Sequence, residues 1–203
     1  MNISIHKTIL FQILKDIYSD TTISPFLGFK GGTAALMFYG LNRFSVDLDF
    51  DLLDEKQEDY VFTRIAEIIK KYGNLKVKIN RRQYGSRFEI KSYLGVSMLV
   101  MTKEDMFAHK LMAMFERIGK TSRDIYDVWF FLQNRFPINR EIVEKRANMP
   151  FGEFVPKCIL KLEKFNNRNI LNGVGELLAP NQKDWAKTKL LAETIALLKL
   201  LTA

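Results

Sequence analysis

Apolar residues over the first half of the chain recur at spacings that alternate between those of helices and those of strands. Helical spacing over 5–18 predicts an amphipathic helix, and the run SPFLGFK predicts a short extended segment that ends at Gly31. A short helix capped by Thr33 follows, and alternation over 43–53 predicts a strand. Asp54 is placed to cap the next helix. Three further strands are predicted at 75–80, 87–93 and 96–101.

Beyond these strands the apolar spacing is helical. The segments TKED and TSRD both match the capping pattern in which a Ser or Thr precedes an acid by three positions. Helical periodicity continues over 140–165 and returns at 184–201. The pattern therefore predicts an α+β protein: a core domain, 1–101, with a small mixed β-sheet and packed helices, followed by a helical C-terminal region, 102–203.

Composition narrows the class of protein but does not identify its partner. The chain has 203 residues, of which 47% are hydrophobic and 27% charged, as in an ordinary globular protein. The net charge of +8 favours an acidic partner such as nucleic acid or nucleotide phosphate, although small proteins are often basic without one. Cys158 is the single cysteine, so no intramolecular disulfide is expected. No run approaches the roughly 20 apolar residues of a membrane span, and we expect a cytoplasmic protein.

Three acids at alternate positions raise the first question of chemistry. Asp47, Asp49 and Asp51 share one face of the predicted strand, where like charges repel. Neighbouring acids in this series have Cα atoms about 6.6 Å apart, so two carboxylates can converge on one divalent cation. Hard oxygen ligands suit Mg²⁺ or Mn²⁺. The alternative is an edge strand with solvated surface acids.

A glycine pair before the short helix adds a second element. Gly31 and Gly32 predict a tight turn into a helix N-terminus, where backbone N–H groups can approach a phosphate. The spacing of a Walker A loop is absent. A plain strand-to-helix turn is the alternative, but a phosphate-binding turn followed by two metal-binding acids forms a coherent nucleotide site.

The segment KGGTAALMFYGLNRFSVDLDF resembles the first motif of the nucleotidyl transferase AbiEii toxin family, a branch of the polymerase-β-like nucleotidyltransferase superfamily. The resemblance implies Mg²⁺ or Mn²⁺ as cofactor and an NTP as substrate. It implies Asp47 and Asp49 as catalytic metal ligands. It also implies a set of residues near the nucleotide: Lys30, Gly31, Gly32, Thr33, Arg43 and Ser45.

A second motif of the same family is matched by HKLMAMFERIGKTSRDIYDVWFF. The matching positions are Lys110, Arg123, Asp124 and Asp127, and the resemblance implies that 102–132 completes the active site. Lys110 and Asp127 are assigned to catalysis, and Arg123 and Asp124 to nucleotide binding. Physically, the two cations can bind triphosphate oxygens while the acids hold the cations in position. The alternative is an acidic helix N-terminus with one interhelical salt bridge.

Two further assignments are more open. The family sheet often supplies a third carboxylate from a neighbouring strand, and Glu89 is the candidate for this metal ligand, although it also fits an ordinary cross-strand salt bridge. A basic hairpin with Tyr84 at its turn can guide a nucleic-acid backbone, or can simply be solvated.

Together these patterns predict a metal-dependent nucleotidyltransferase that transfers NMP from an NTP to an acceptor hydroxyl. The family resemblance implies a toxin or abortive-infection role, RNA such as the tRNA 3′ end as acceptor, and a cognate antitoxin as partner. One alternative is a non-catalytic nucleotide- or RNA-binding protein with this fold. Another is a transferase that places a nucleotide on a protein side chain.

Overall fold

The structure, a computed structural model, describes residues 3–73 and 85–201, with side chains from residue 5 onward. The strands are β1 (Leu27–Lys30), β2 (Asp49–Leu52), β3 (Phe88–Tyr93) and β4 (Val96–Met101). The helices are α1 (Ile3–Ser19), α2 (Gly31–Phe38), α3 (Glu58–Ile69), α4 (Lys103–Arg117), α5 (Arg123–Gln133), α6 (Arg140–Ala147), α7 (Phe151–Glu163), α8 (Pro180–Trp185) and α9 (Leu191–Lys199). A π-helical segment, Ala186–Leu190, joins α8 to α9. The predicted α+β architecture is confirmed.

The described strands form one mixed sheet in the order β2-β1-β4-β3. β1 pairs antiparallel with β2 and parallel with β4, and β4 pairs antiparallel with β3. A parallel pair needs a long crossover connection, which here contains α2, β2, α3 and β3. β1 therefore lies inside the sheet, and α2 leaves it directly from the end of β1.

The chain divides into two compact units, Met1–Gln83 with Arg87–Thr102, and Tyr84–Ser86 with Lys103–Ala203. In the first unit α1 packs on β4 and α3, and α2 packs on the sheet. Leu14, Ile17, Phe29 and Val100 are almost completely buried there. Burial of such apolar side chains is the main term that stabilises the unit.

The second unit is helical, as the apolar spacing predicts. α4 packs against α5 and α6, and α9 packs against α5 and α7. The rings of Phe107 and Phe131 stack with centroids 5.3 Å apart. Cys158 is fully buried in α7, and this burial raises the pKa of its thiol to about 12, as suits a core thiol. Among the described helices, none has the length and apolarity that a membrane crossing requires.

The predicted strand at 43–53 is wrong in its extent. Only Asp49–Leu52 forms β2, because β1 offers just four residues with which it can pair. Asp47 therefore precedes the strand, while Asp49 and Asp51 occupy alternate positions within it. The predicted strand at 75–80 and the hairpin turn at Tyr84 lie outside the described residues, which resume at residue 85 and include the second strand of the predicted hairpin as β3.

Two predicted helix caps also differ from the structure. Thr33 lies inside α2 and uses its hydroxyl to donate a hydrogen bond to the Asp47 carbonyl oxygen. The hydroxyl oxygen of Thr102 is buried and makes no hydrogen bond, so the TKED segment does not form a capping box. Asp54 does act as a cap, but of a 3₁₀ turn, Glu55–Gln57, that precedes α3: its carboxylate accepts from the backbone N–H of Lys56.

Candidate active site

The turn from β1 into α2 is built around a glycine that no other residue can replace without cost. Gly31 has φ +83°, a backbone conformation that L side chains rarely adopt. A Cβ at this position would also collide with the carboxylate of Asp49. Asp49 thus lies directly over the first residue of α2. The initial N–H groups of an α-helix lack intrahelical acceptors and favour anions.

The next residue of the turn, Gly32, lies beside a buried guanidinium and a buried hydroxyl. A Cβ on Gly32 would lie 2.7 Å from Ser45 Oγ and 3.0 Å from Arg43 Nη2. Arg43 and Ser45 are only 2% and 4% exposed. Arg43 Nη1 donates to the Phe44 carbonyl oxygen at 2.8 Å, which fixes the guanidinium. The turn therefore combines backbone N–H groups with a guanidinium, both of which bind phosphate oxygens.

Asp47 is tied to the same turn through the backbone. Thr33 Oγ1 donates to the Asp47 carbonyl oxygen at 2.5 Å, so the residue before β2 is anchored to the first turn of α2. The side chains of Asp47 and Asp49 are both exposed. The structure thus brings the two predicted metal ligands to one helix N-terminus. Accessible carboxylate oxygens next to a phosphate-binding turn fit Mg²⁺, which typically takes one or two carboxylates together with water and phosphate.

The predicted third carboxylate, Glu89, does not join this pair. Directly paired residues in a sheet point to the same face, and Glu89 pairs with Val100, which pairs with Phe29. Phe29 in turn pairs with Phe50, the neighbour of Asp49 in β2. Glu89 therefore lies on the face opposite to Asp49. Among the described residues, no group of three His, Cys, Asp or Glu side chains is arranged to hold a metal.

Glu89 forms an ion pair within its own strand, β3, rather than the cross-strand pair of the alternative. Its Oε1 atom accepts from Lys91 Nζ at 3.0 Å and lies 3.2 Å from the Tyr39 hydroxyl. The same hydroxyl donates to the Met101 carbonyl oxygen at 2.6 Å. These contacts link α2 to β3 and β4, so we leave Glu89 out of the proposed metal ligands.

Asp51 shares the sheet face of Asp49 and forms an ion pair with Lys30. Lys30 is a predicted nucleotide-binding residue, whereas sequence reasoning assigned Asp51 no partner. The signal was present in the strand spacing. In an antiparallel pair, a residue lies near the one that is two positions beyond its direct partner on the same face.

The second motif forms a buried ion pair in the helical unit. Lys110 Nζ on α4 lies 2.7 Å from Asp127 Oδ2 on α5, with side chains 12% and 0% exposed. The buried Asp127 carboxylate holds the Lys110 ammonium, and the assignment of both residues to catalysis stays a prediction. This placement agrees with the expectation that the acids of the motif hold its cations.

Asp124 belongs to the same cluster, and its partner was missed by sequence reasoning. Arg117 Nη2 donates to Asp124 Oδ1 at 2.8 Å, while Oδ2 is buried without a hydrogen-bond partner. Burial raises the pKa of Asp124, and Asp127 acts in the same direction, while Lys110, Arg117 and Arg123 lower it. Arg117 lies two turns after Lys110 on α4, a spacing that puts both on one helix face. That spacing was the available signal.

Arg123 is the first residue of α5 and is partly exposed. Its backbone N–H donates to Thr121 Oγ1 at 3.3 Å, so the hydroxyl of the TSRD segment takes one of the first N–H groups of the helix. Ser122 Oγ donates instead to the Asn169 carbonyl oxygen at 3.0 Å. The α5 N-terminus thus presents a cation beside the buried pair of Asp124 and Asp127.

Two solved structures share the fold of this chain. JHP933 from Helicobacter pylori superposes with a TM-score of 0.54 at 19% sequence identity, over 100% of this chain and 92% of JHP933. An H. pylori protein described as a candidate nucleotidyltransferase gives a TM-score of 0.59 at 18% identity, over 100% of this chain and 95% of the other. At these identities the likeness shows the fold alone, and it is a nucleotidyltransferase fold.

The family follows from the sequence itself. The profile described as nucleotidyl transferase AbiEii toxin, type IV TA system, matches residues 12–78 and 76–189. Because this match covers most of the chain, the protein belongs to the AbiEii family of nucleotidyltransferase toxins, and the predicted family is confirmed. A search of curated proteins finds no match to the sequence.

Proposed function

We propose that this protein is a metal-dependent nucleotidyltransferase that transfers NMP from an NTP to an acceptor hydroxyl. The observation that carries the proposal is the convergence of Asp49 and Asp47 on the N-terminal turn of α2, where Gly31 and Gly32 leave the backbone open. A triphosphate placed on this turn lies next to the Asp49 carboxylate, and Asp47 is tied to the same turn through its carbonyl oxygen. This is the combination that phosphoryl transfer uses to position a nucleotide.

In this proposal, each residue at the turn has its own role. The backbone N–H groups of Gly32 and Thr33 donate to phosphate oxygens, and the buried guanidinium of Arg43 adds a fixed positive charge. Asp47 and Asp49 hold Mg²⁺ or Mn²⁺, which, when bound, offsets phosphate charge and stabilises the attacking and leaving oxygens. From the family pattern, Lys110 and Arg123 bind phosphate oxygens.

The reaction forms one bond and breaks one. The acceptor hydroxyl oxygen attacks the α-phosphorus in line, the bond from that phosphorus to the bridging oxygen breaks, and pyrophosphate leaves. The hydroxyl proton passes to solvent. Fixed donors at the turn are worth most when charge develops on the phosphate oxygens in the transition state.

We propose RNA as the acceptor, with the tRNA 3′ end as the first candidate. The net charge of +8 supports a polyanionic partner, because lysine and arginine neutralise backbone phosphates. As a member of a family of type IV toxins, the protein is expected to have a cognate antitoxin. We place the antitoxin gene next to the gene for this chain.

The test is incubation with Mg²⁺ and each α-labelled NTP, with and without total tRNA. We expect label on RNA from one or few NTPs, and a loss of about a thousandfold or more in Asp49→Ala, in the range that loss of a key electrostatic group produces. Asp59→Ala, an exposed acid on α3, is the matched control and retains full activity.

Two outcomes would contradict the proposal in different ways. Transfer that survives in Asp49→Ala would remove the site, whatever the acceptor. Label on protein rather than on RNA would keep the site and replace the acceptor. Nucleotide binding that needs neither metal nor acids, with no transfer, would instead indicate a non-catalytic binding protein.

A further inference from the structure

The sheet face that carries Asp49 also carries a lysine that bonds to a different acid. Lys30 Nζ forms an ion pair with Asp51 Oδ1, and the two side chains are 26% and 11% exposed. In the strand register, however, Lys30 stands directly opposite Asp49. The lysine therefore pairs diagonally, although an acid lies straight across from it.

Both acids lie within reach of this lysine. Directly opposite residues in an antiparallel pair have Cβ atoms about 5 Å apart, and a diagonal neighbour is about 7–8 Å away, within reach of a long side chain. Asp51 lies opposite Gly28, two residues back from the α2 end of β1. Gly28 has no side chain, and the space that a Cβ would take there is filled by the Phe88 ring of β3.

The position of Asp51 has a direct electrostatic consequence. A lysine ammonium next to Asp49 would compete with a divalent cation for the same carboxylate. The pair with Asp51 draws the ammonium away from the α2 end of the sheet. The Asp49 carboxylate lies at that end, over Gly31.

We propose that Asp51 is a positioning residue that holds the Lys30 ammonium away from Asp49 and so keeps the Asp49 carboxylate competent to bind a divalent cation. The inference rests on the metal site of the proposed function and adds a role for an acid outside the ligand set. Asp51 acts through Lys30 and contacts neither the metal nor the nucleotide.

Titration of the full-length protein with Mn²⁺ alone, followed by electron paramagnetic resonance or calorimetry, tests this without any measurement of activity. We expect Asp51→Asn to weaken Mn²⁺ binding by about fivefold to tenfold, as a released ammonium near a carboxylate would. Lys30→Met is expected to bind Mn²⁺ at least as tightly as the wild type. The double variant Lys30→Met/Asp51→Asn is expected to match Lys30→Met, because no ammonium remains to be held.

The double variant distinguishes a positioning role of Asp51 from a role as a metal ligand. If Asp51 is itself a metal ligand, Mn²⁺ binding stays weak in Lys30→Met/Asp51→Asn, and the positioning role is overturned. Weaker binding in Lys30→Met alone overturns it as well. Asp51→Glu keeps the carboxylate and is expected to bind Mn²⁺ nearly as the wild type does, so the inference remains testable if Asp51→Asn folds poorly.

The same titration separates this inference from the proposed function. Asp49→Asn is expected to abolish Mn²⁺ binding, and a wild-type protein that binds no Mn²⁺ overturns the metal site and the positioning role together. Mn²⁺ binding that depends on Asp49, without rescue in the double variant, overturns the positioning role alone and leaves the proposed function standing.

Discussion

The acids of the two motifs lie in opposite environments, one pair exposed and the other buried. In the α+β unit, the side chains of Asp47 and Asp49 are exposed at a helix N-terminus. In the helical unit, Asp124 and Asp127 are almost completely buried, and each forms an ion pair with a basic side chain of α4. Both pairs of acids stand in family motifs, yet only the first pair is accessible to a ligand.

The contrast teaches how to divide a motif into groups that bind and groups that support. An exposed carboxylate costs little to leave without a ligand, because water solvates it. A buried carboxylate needs its cation, and removal of one partner leaves an uncompensated charge. Substitutions in the first pair should therefore affect activity, whereas substitutions in the second should also affect the free energy of unfolding.

The largest test of the contrast is Asp127→Ala. We expect the free energy of unfolding to fall by about 3 kcal/mol, because the Lys110 ammonium loses its partner in a site where it is only 12% exposed. Asp49→Ala is the matched substitution in the exposed pair and should change stability by less than about 1 kcal/mol. Urea denaturation of both variants measures the difference, and equal losses would break the contrast.

The next test concerns the turn itself. Gly31→Ala places a side chain at φ +83° and into the Asp49 carboxylate, whereas Gly40→Ala meets the same backbone strain at φ +74° with nothing within 4 Å. We expect both to lose roughly 1 kcal/mol of stability through left-handed backbone strain. Transferase activity should fall by about a hundredfold in Gly31→Ala alone, since misplacement of a positioned group by an ångström costs that much.

A matching loss of activity in Gly40→Ala would show that backbone strain, rather than displacement of Asp49, governs the effect. Thermal unfolding of the two variants provides the stability comparison. Label transfer from NTP to tRNA provides the comparison of activity.

The smallest expected effect is a dependence of stability on pH. Burial raises the pKa of Asp124 in the folded protein, so the folded state holds this proton more tightly than the unfolded state does. The resulting stabilisation is fully present below the unfolded pKa and is lost as the pH rises through the folded pKa. Asp124→Asn has no carboxyl group at this position and therefore lacks this pH-dependent stabilisation.

Urea denaturation of wild type and Asp124→Asn from acid to neutral pH measures that term as a difference. We expect the stability of the variant relative to wild type to increase as the pH rises. Asp16 and Asp20, whose pKa values are lowered by hydrogen bonds, give the opposite slope but are common to both proteins, so they cancel. A relative stability that stays constant with pH would show that Asp124 has the same pKa in both states.

Sequence reasoning reached the turn and its two acids because their relation is local. Gly31 and Asp49 are separated by one short helix, and the glycine pair specifies the turn without knowledge of the rest of the chain. The same holds for Lys110 and Asp127, which lie on consecutive helices. Motifs of this kind are visible in a sequence because the segment between their members is short and has a regular structure.

The features that sequence reasoning missed depend on pairing between distant segments. The length of β2 is set by the four residues that β1 offers, and the face of Glu89 is set by the register of β3 on β4. Neither can be read from local alternation, since a shift of one residue reverses every side chain. The partner of Asp51 was missed for the same reason.

The parallel pairing of β1 with β4 also constrains how the protein can be made. It joins Gly28 to Leu99, about 70 residues later in the chain, so a large loop must close before the sheet is complete. A ribosome therefore releases the β1–α2–β2 segment while one edge of β1 still lacks its neighbour. Until β4 emerges, the turn between β1 and α2 belongs to an unfinished sheet, and the sheet is complete only when the chain through Met101, about half of its length, has left the ribosome.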